Sequence, residues 1–236
     1  MKMVRHRCRF RFGGMSYQFK FEVLLPFWKE LLLGCALSLW LSAIAVVLGF
    51  SLGLVTALAR RSKSQFLRGA ALSYIEVIRN TPFLLQVFFI FFGLPALGLS
   101  FSPWSAAILA LSLNCGAFSA EIIRAGIDAI PRGQFDAGAA LGLTPLQTFR
   151  DIILKPSLRV IYPALSSQFI LALLTTSIVS SISAEELTSV AQSIDTVTFR
   201  SFEIYIVATL LYFMMATILS TIFKIIDRAC FSYPMK

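Results

Sequence analysis

Charged side chains are scarce in this chain. Asp, Glu, Lys and Arg make up 14% of its 236 residues, against 57% hydrophobic residues. A soluble globular protein carries about 25% charged and about 45–50% apolar residues. Such an apolar excess does not fit inside one core whose surface must stay polar. A soluble enzyme, a secreted disulfide scaffold and a free nucleic-acid-binding module are thereby excluded, and an integral membrane protein is expected. Histidine is nearly missing, His6 being the only one. The four cysteines, Cys8, Cys35, Cys115 and Cys230, are scattered, with no CxxC and no Cys/His cluster. That argues against a zinc site or a disulfide framework. There is no Gly-x-x-x-x-Gly-Lys-Ser/Thr loop to cradle phosphates and no cluster of His, Cys or paired carboxylates. No catalytic residue, metal ligand or cofactor of its own is therefore expected.

Long charge-free runs are what the chain has in place of these. A helix needs about 20 apolar residues to cross the hydrocarbon core. Residues 31–59 contain no Lys, Arg, Asp or Glu and predict a first span. Asn80 to Ala120 is also uncharged, but is too long for one helix and is punctuated by Pro95, Gly98 and Pro103. It divides into spans at 71–94 and 103–124; residues 160–184 and 204–223 give two more. The expected fold is all-α, one polytopic bundle of five transmembrane helices forming a single domain over residues 1–236.

Basic residues set the orientation, because they collect on the cytoplasmic side. This is also the reading of the net charge of +9, so no nucleic-acid partner is expected. Arg60, Arg61, Lys63 and Arg68 follow span one; Arg132, Arg150, Lys155 and Arg159 follow span three, with Arg124 at its edge; Lys224, Arg228 and Lys236 follow span five. The opposite loops hold no basic residue between Pro95 and Pro103, and only Arg200 between Glu185 and Glu203. The amino terminus is expected outside and the carboxyl terminus in the cytoplasm. Lys2, Arg5, Arg7, Arg9, Arg11, Lys20 and Lys29 oppose this. Five of them precede Met15, which is read as a real or alternative start. Residues 1–30 are read as a basic extension followed by a short interfacial helix over Phe19 to Lys29, resting on membrane lipid.

Residues 130–159 are too polar to span, yet not loop-like. Gln134 to Leu141 favours helix and Gly142 breaks it; Thr144 is a good N-cap with Pro145 at the first helical position, Leu146 to Leu154 resumes the helical pattern and Pro156 stops it. Two short helices joined at a glycine are expected, projecting on the basic side as a docking surface.

Asp136-Ala137-Gly138, then Gly142, Ile152 and Leu154, resemble the EAA loop of bacterial ABC-importer permeases, whose pattern is Glu-Ala-Ala, three residues, Gly, nine residues, Ile-x-Leu-Pro. The chain departs from it at Asp136, at Gly138 and at Lys155, with Pro156 one place late. Tyr74-Ile-Glu76-Val-Ile-Arg79-Asn-Thr81-Pro82 through Gln86, Phe92-Gly-Leu-Pro95, and Asn114-Cys-Gly-Ala-Phe118-Ser-Ala-Glu121-Ile-Ile-Arg124 resemble the polar amino acid members of that family. Leu174-Thr175-Thr176-Ser177 is uncharged where many members carry Lys-Asp or Lys-Asn. The resemblance implies a type I importer permease in the bacterial inner membrane. It would translocate a polar amino acid or related small zwitterion by alternating access. Its partners would be two ATPase subunits holding ATP and Mg, a second permease subunit of the same or a related chain, and an external solute-binding protein. The resemblance assigns ATPase coupling to Asp136, Ala137, Gly138, Gly142, Thr144, Leu146 and Phe149.

For the substrate pathway the candidates are Glu76, Arg79, Thr81, Gln86, Asn114, Glu121, Thr176 and Ser177, together with Thr175 and Ser180. Ionisable groups at membrane depth face the protein or a cavity. Equally, Glu76 and Arg79, or Glu121 and Arg124, are spaced for i,i+3 pairs, and the hydroxyls and amides for interhelical bonds. Gly49-Phe-Ser-Leu-Gly53 is a GxxxG read as packing within the subunit. A self-contained secondary transporter or channel is the other function considered. It would tend to show internal repeats and broken helices in both halves.

Overall fold

The computed structural model describes residues 17–230, all of whose regular structure is helical. The proposed start at Met15 and the basic extension lie outside the described residues. A 3₁₀ turn over Phe21–Phe27 leads into α1 (Trp28–Arg60). Then come α2 (Gln65–Arg79), α3 (Phe83–Phe88), which continues as a π turn over Phe89–Gly93 and a 3₁₀ turn over Leu94–Leu97, and α4 (Pro103–Asp128). The polar loop forms α5 (Arg132–Ala140) and α6 (Pro145–Thr148). A π turn over Phe149–Ile153 joins α6 to α7 (Leu154–Thr175), which tightens into a 3₁₀ segment, Thr176–Ile182. Two helices follow, α8 (Leu187–Thr198) and α9 (Ser201–Cys230).

Four of these helices are long and apolar enough to cross a membrane unbroken: Phe21–Arg60, Pro103–Asp128, Pro145–Ile182 and Ser201–Cys230. The fifth crossing is not one helix. The stretch read as a span over 71–94 divides into Gln65–Arg79 and Phe83–Leu97, bent by 111°. Pro82 causes the break: it has no N–H to donate and it pushes Thr81 out of the helical region. Conversely, Pro156 does not stop the loop helix as expected. It sits in the first turn of α7, directly after the π turn, so its missing N–H falls where the ladder is already shifted. The helix therefore runs for 38 residues from Pro145 to Ile182. The loop read over 185–203 contains α8, which buries Leu187, Ala191 and Ile194 against the start of α1 and against α9.

Small residues decide how the helices meet. Lipid tails are as apolar as leucine, so association in a bilayer depends on close packing. A Cβ built on Gly49 would lie 2.7 Å from the Cys115 Cβ, and one on Gly53 would lie 2.7 Å from the Ser119 Cβ. The GxxxG thus packs inside the subunit, and the matched order of contacts makes α1 and α4 parallel. Gly126 is similarly filled by Ile161 of α7, while Ala106, Ala107 and Ala110 pack near Val179 and Ile182, so α4 and α7 are antiparallel. Tyr162 Oη donates to the Phe223 carbonyl at 3.0 Å and Leu173 packs with Ala208, which makes α7 and α9 antiparallel as well. Arg60, Asp128, Leu154 and Cys230 consequently lie at one end of the bundle. Tyr17 lies at the other, where its hydroxyl donates to Glu203.

Gly53→Val is expected to destabilise the protein by roughly 1–3 kcal/mol through overpacking. Gly69, in α2 with nothing within 4 Å of a built Cβ, is the contrast. Gly69→Ala should be stabilising by roughly 0.5–1 kcal/mol, the usual difference inside a helix. Thermal unfolding of the two variants in detergent should therefore move in opposite directions from wild type.

Candidate functional site

The break between α2 and α3 gathers most of the pathway candidates. Gln86 holds it. Its Nε2 lies 2.8 Å from the Ile78 carbonyl, 3.1 Å from the Thr81 carbonyl and 2.9 Å from Thr81 Oγ1. Two amide protons thus serve acceptors that the bend removes from the helical ladder. Asn114 Nδ2 donates to Gln86 Oε1 at 3.4 Å, tying the bend to α4. Thr81 Oγ1 donates back to the Val77 carbonyl at 2.7 Å, and Asn80 Nδ2 donates to Glu76 Oε2 at 2.8 Å. Thr176 and Ser177 open the 3₁₀ segment of the fourth crossing, which packs against α3 and shares the cluster of Val87 and Val179. Thr176 is fully buried, with its hydroxyl on the Leu173 carbonyl at 2.7 Å; Ser177 is half-buried. A broken helix and the 3₁₀ end of a continuous one therefore lie side by side.

The expected ion pairs are only half right. Glu121 does pair with Arg124, at 3.0 Å, but it also receives Arg60 and, at 3.7 Å, Arg79. Arg79 does not turn to Glu76: its guanidinium reaches across to Glu121 and lies 5.5 Å from the Phe118 ring centroid. Asp128 continues the node, with Arg61 at 2.7 Å and Arg124 at 2.8 Å. One carboxylate from α4 thus holds the ends of α1 and α2 at the end of the bundle where the basic loops lie.

Two acidic residues escaped the sequence reading. Glu186 is fully buried and meets only neutral donors: Tyr212 Oη, Ser38 Oγ at 3.3 Å and the Ser189 amide at 2.8 Å. It caps α8 and joins that helix to α1 and α9. Glu203, also fully buried, accepts from the Lys20 amide at 2.9 Å and lies 3.7 Å from Arg200, which fastens the segment before α1 to the start of α9. Both acids sat in what reads as an external loop. Their only signal was that they flank an amphipathic stretch, Leu187 to Thr198.

The polar loop is built as a rigid corner. At the end of α5 the Leu143 amide donates to the Gly138 carbonyl and the Gly142 amide to the Ala139 carbonyl, both at 3.0 Å. This is a Schellman closure, and it places Gly142 at φ +72°. Thr144 then caps α6 in a reciprocal box with Gln147. Gly138, the departure from the alanine of the loop pattern, lies where α6 crosses α5: a Cβ there would collide with the side chain of Thr148. Asp136, Ala137 and Thr144 are exposed, Phe149 is half-buried, and Leu141 and Leu146 are 73% and 76% exposed.

Gln86→Leu should lower stability by about 1 kcal/mol, the usual worth of a hydrogen bond, since the Ile78 carbonyl it leaves without its donor is only half-buried. Asn114→Ala should cost less, because its bond is long. Melting in detergent checks both; a Gln86→Leu protein that melts like wild type would mean the amide does not hold the bend.

Residues 31–231 match the family of binding-protein-dependent transport system inner membrane components. The chain is 38% identical over 214 residues to the L-cystine transport system permease protein TcyB of Bacillus subtilis (strain 168), covering 89% of this chain and 90% of that one. It is 35% identical over 213 residues to the glutamine transport system permease protein GlnP of Escherichia coli (strain K12), covering 89% and 97%. A crystal structure of an amino acid ABC transporter with histidines superposes with a TM-score of 0.86 at 36% identity, over 90% of this chain and all of that one. The inward-facing MetNI methionine ABC transporter shares the fold, with a TM-score of 0.72 at 20% identity over 87% and 98%. With a membrane bundle, an EAA-like corner and relatives over nearly its whole length, this chain belongs to the inner-membrane permease family of binding-protein-dependent transport systems, as the permease component of an amino acid ABC importer.

Proposed function

We propose that this chain carries a polar amino acid or related small zwitterion into the cytoplasm by alternating access. ATP hydrolysis in two separate ATPase subunits would drive it. A second permease subunit would close the pathway, and an external solute-binding protein would deliver the substrate. The observation that carries this reading is the continuity of the helix from Pro145 to Ile182. Its first turns form the exposed corner of the coupling loop, and its last turns are the 3₁₀ segment beside the α2–α3 break. A displacement of the corner by an ATPase therefore moves the pathway end of the same rod. The corner itself is stiff, because Gly138 and Thr148 interlock and Gly142 fixes the turn.

The pathway reading is supported by exposure. Glu76, Arg79 and Thr81 lie on the outside of the single chain, at the break within a crossing. Polar groups facing lipid there would be costly, so a second permease subunit across this face would enclose them. The node beside them sets four arginines against Glu121 and Asp128, a positive bias that suits a substrate carboxylate. In this reading residues 130–159 are cytoplasmic and the segment before α1 is external.

Gly138→Val should part α5 from α6, and should reduce ATPase copurification and substrate uptake by about tenfold or more, as expected of roughly 1–3 kcal/mol of misfit. Gly142→Leu should act more weakly, since nothing crowds a side chain there and only the left-handed backbone resists it, by about 1–2 kcal/mol. Asp136→Ala should be milder still. If Gly138→Val is well expressed and both quantities equal wild type, the corner is not the coupling element. Uptake into liposomes by this protein alone, without ATP, would favour a self-contained transporter instead.

A cysteine at Ser64, in a background lacking native cysteines, should resist an impermeant external reagent in intact cells. Labelling there would overturn the orientation.

A further inference from the structure

A groove of about 200 Å³ opens between the first half of α7 and the last turns of α9, lined by Tyr162, Ser166, Ser167, Ser220, Lys224 and Asp227. It lies at the coupling-loop end of the bundle, where the apolar run of α9 gives way to Lys224, Asp227 and Arg228. This is headgroup depth. The volume is below the roughly 300–1,000 Å³ of ordinary small-molecule sites, so a small polar group fits and a drug-sized ligand does not. Pro163, Ile170 and Phe223 form its apolar wall, which can continue along an acyl chain.

The lining is richer in acceptors than in donors: four of its side chains carry hydroxyls, and three of these give their protons to backbone oxygens. Tyr162 Oη donates to the Phe223 carbonyl at 3.0 Å, Ser166 Oγ to the Tyr162 carbonyl at 2.9 Å and Ser167 Oγ to the Pro163 carbonyl at 3.0 Å. Three hydroxyl protons are thus committed to backbone oxygens, and Pro163 has no N–H. What these hydroxyls present to the groove is lone pairs, beside the Asp227 carboxylate. Lys224 is the one cation in the lining. A site with several acceptors, one carboxylate and one ammonium group calls for a ligand that pairs a hydrogen-bonding cation with an anion.

We propose that this groove binds the headgroup of an aminophospholipid, phosphatidylethanolamine in class. Its primary ammonium would sit among Asp227 and the hydroxyl oxygens and its phosphate on Lys224. A choline headgroup carries the same charges but no N–H to give these acceptors, and a glycerol headgroup has no cation for Asp227. The groove lies against the rod that links coupling loop to pathway, so an occupied site would brace α7 against α9.

Native mass spectrometry of the purified, delipidated permease–ATPase complex tests this, with phosphatidylethanolamine, phosphatidylcholine and phosphatidylglycerol of matched chains added in turn. The expected result is preferential retention of phosphatidylethanolamine over phosphatidylcholine, on the order of tenfold, the worth of charge-assisted hydrogen bonds. Asp227→Asn, nearly isosteric and partly exposed, should bring the two lipids level and leave phosphatidylglycerol unchanged. Equal retention of the two zwitterionic lipids by wild type, or a preference for phosphatidylglycerol, overturns the proposal. So does an assembled Asp227→Asn complex that keeps the wild-type preference. Should that variant not assemble, the wild-type comparison alone decides.

Discussion

A backbone N–H or C=O freed inside a bilayer has no water to turn to, and must be satisfied by the protein. The structure depends on this constraint more than on any other. Most crossings avoid the problem by being unbroken helices. The second crossing cannot, because Pro82 ends α2 in the middle of it, and the bend persists because the Gln86 amide takes up the orphaned carbonyls of Ile78 and Thr81. Asn114 holds Gln86, and α1 holds α4 through Gly49 and Gly53. The break is thus anchored to the best-packed helix pair of the molecule.

The buried carboxyl groups follow the same logic. Glu186 and Glu203 are fully buried at the end away from the α5–α6 corner, and each is surrounded by donors drawn from distant segments. Removing one partner of such a group leaves buried oxygens unsatisfied, which costs more than the bond's net contribution. Their role is to fix which elements meet: α8 with α1 and α9, and the entry segment with the start of α9. At the opposite end Glu121 and Asp128 do this through arginines that remain partly exposed. The bundle is clamped at both ends, while the broken crossing in between has exposed polar groups.

This arrangement gives the proposed coupling a physical route. A rigid corner, two interlocked short helices and a continuous rod leave few soft joints between the loop and the 3₁₀ segment at Thr176. The π turn at Phe149–Ile153 carries the chain past Pro156 without a break, and Pro163 takes one N–H out of the ladder of α7 further on. Alternating access needs discrete packings more than bending, and the bundle sets the α2–α3 break beside the 3₁₀ segment Thr176–Ile182.

The sequence by itself determined the membrane class, the four unbroken crossings, the Gly142 corner with its Thr144 cap and the family, because these rest on composition, uncharged length and local backbone chemistry. Residues 31–59 had to form a helix somewhere apolar, whatever their neighbours. Tertiary structure alone decided the partners. Arg79 is spaced for Glu76 yet pairs with Glu121, since the bend at Pro82 turns the end of α2 towards α4. Gln86, legible only as a polar residue in an apolar run, became the staple of that bend. Gly138 read as a mild departure from the loop pattern until Thr148 was seen to fill the space above it. Glu186 and Glu203 read as loop acids, because nothing local reveals that Ser38, Tyr212 or Lys20 will come within reach. Local spacing fixes what a helix can offer on each face; which offer is taken depends on contacts between different elements, some of them more than a hundred positions apart, and only the folded bundle brings those together.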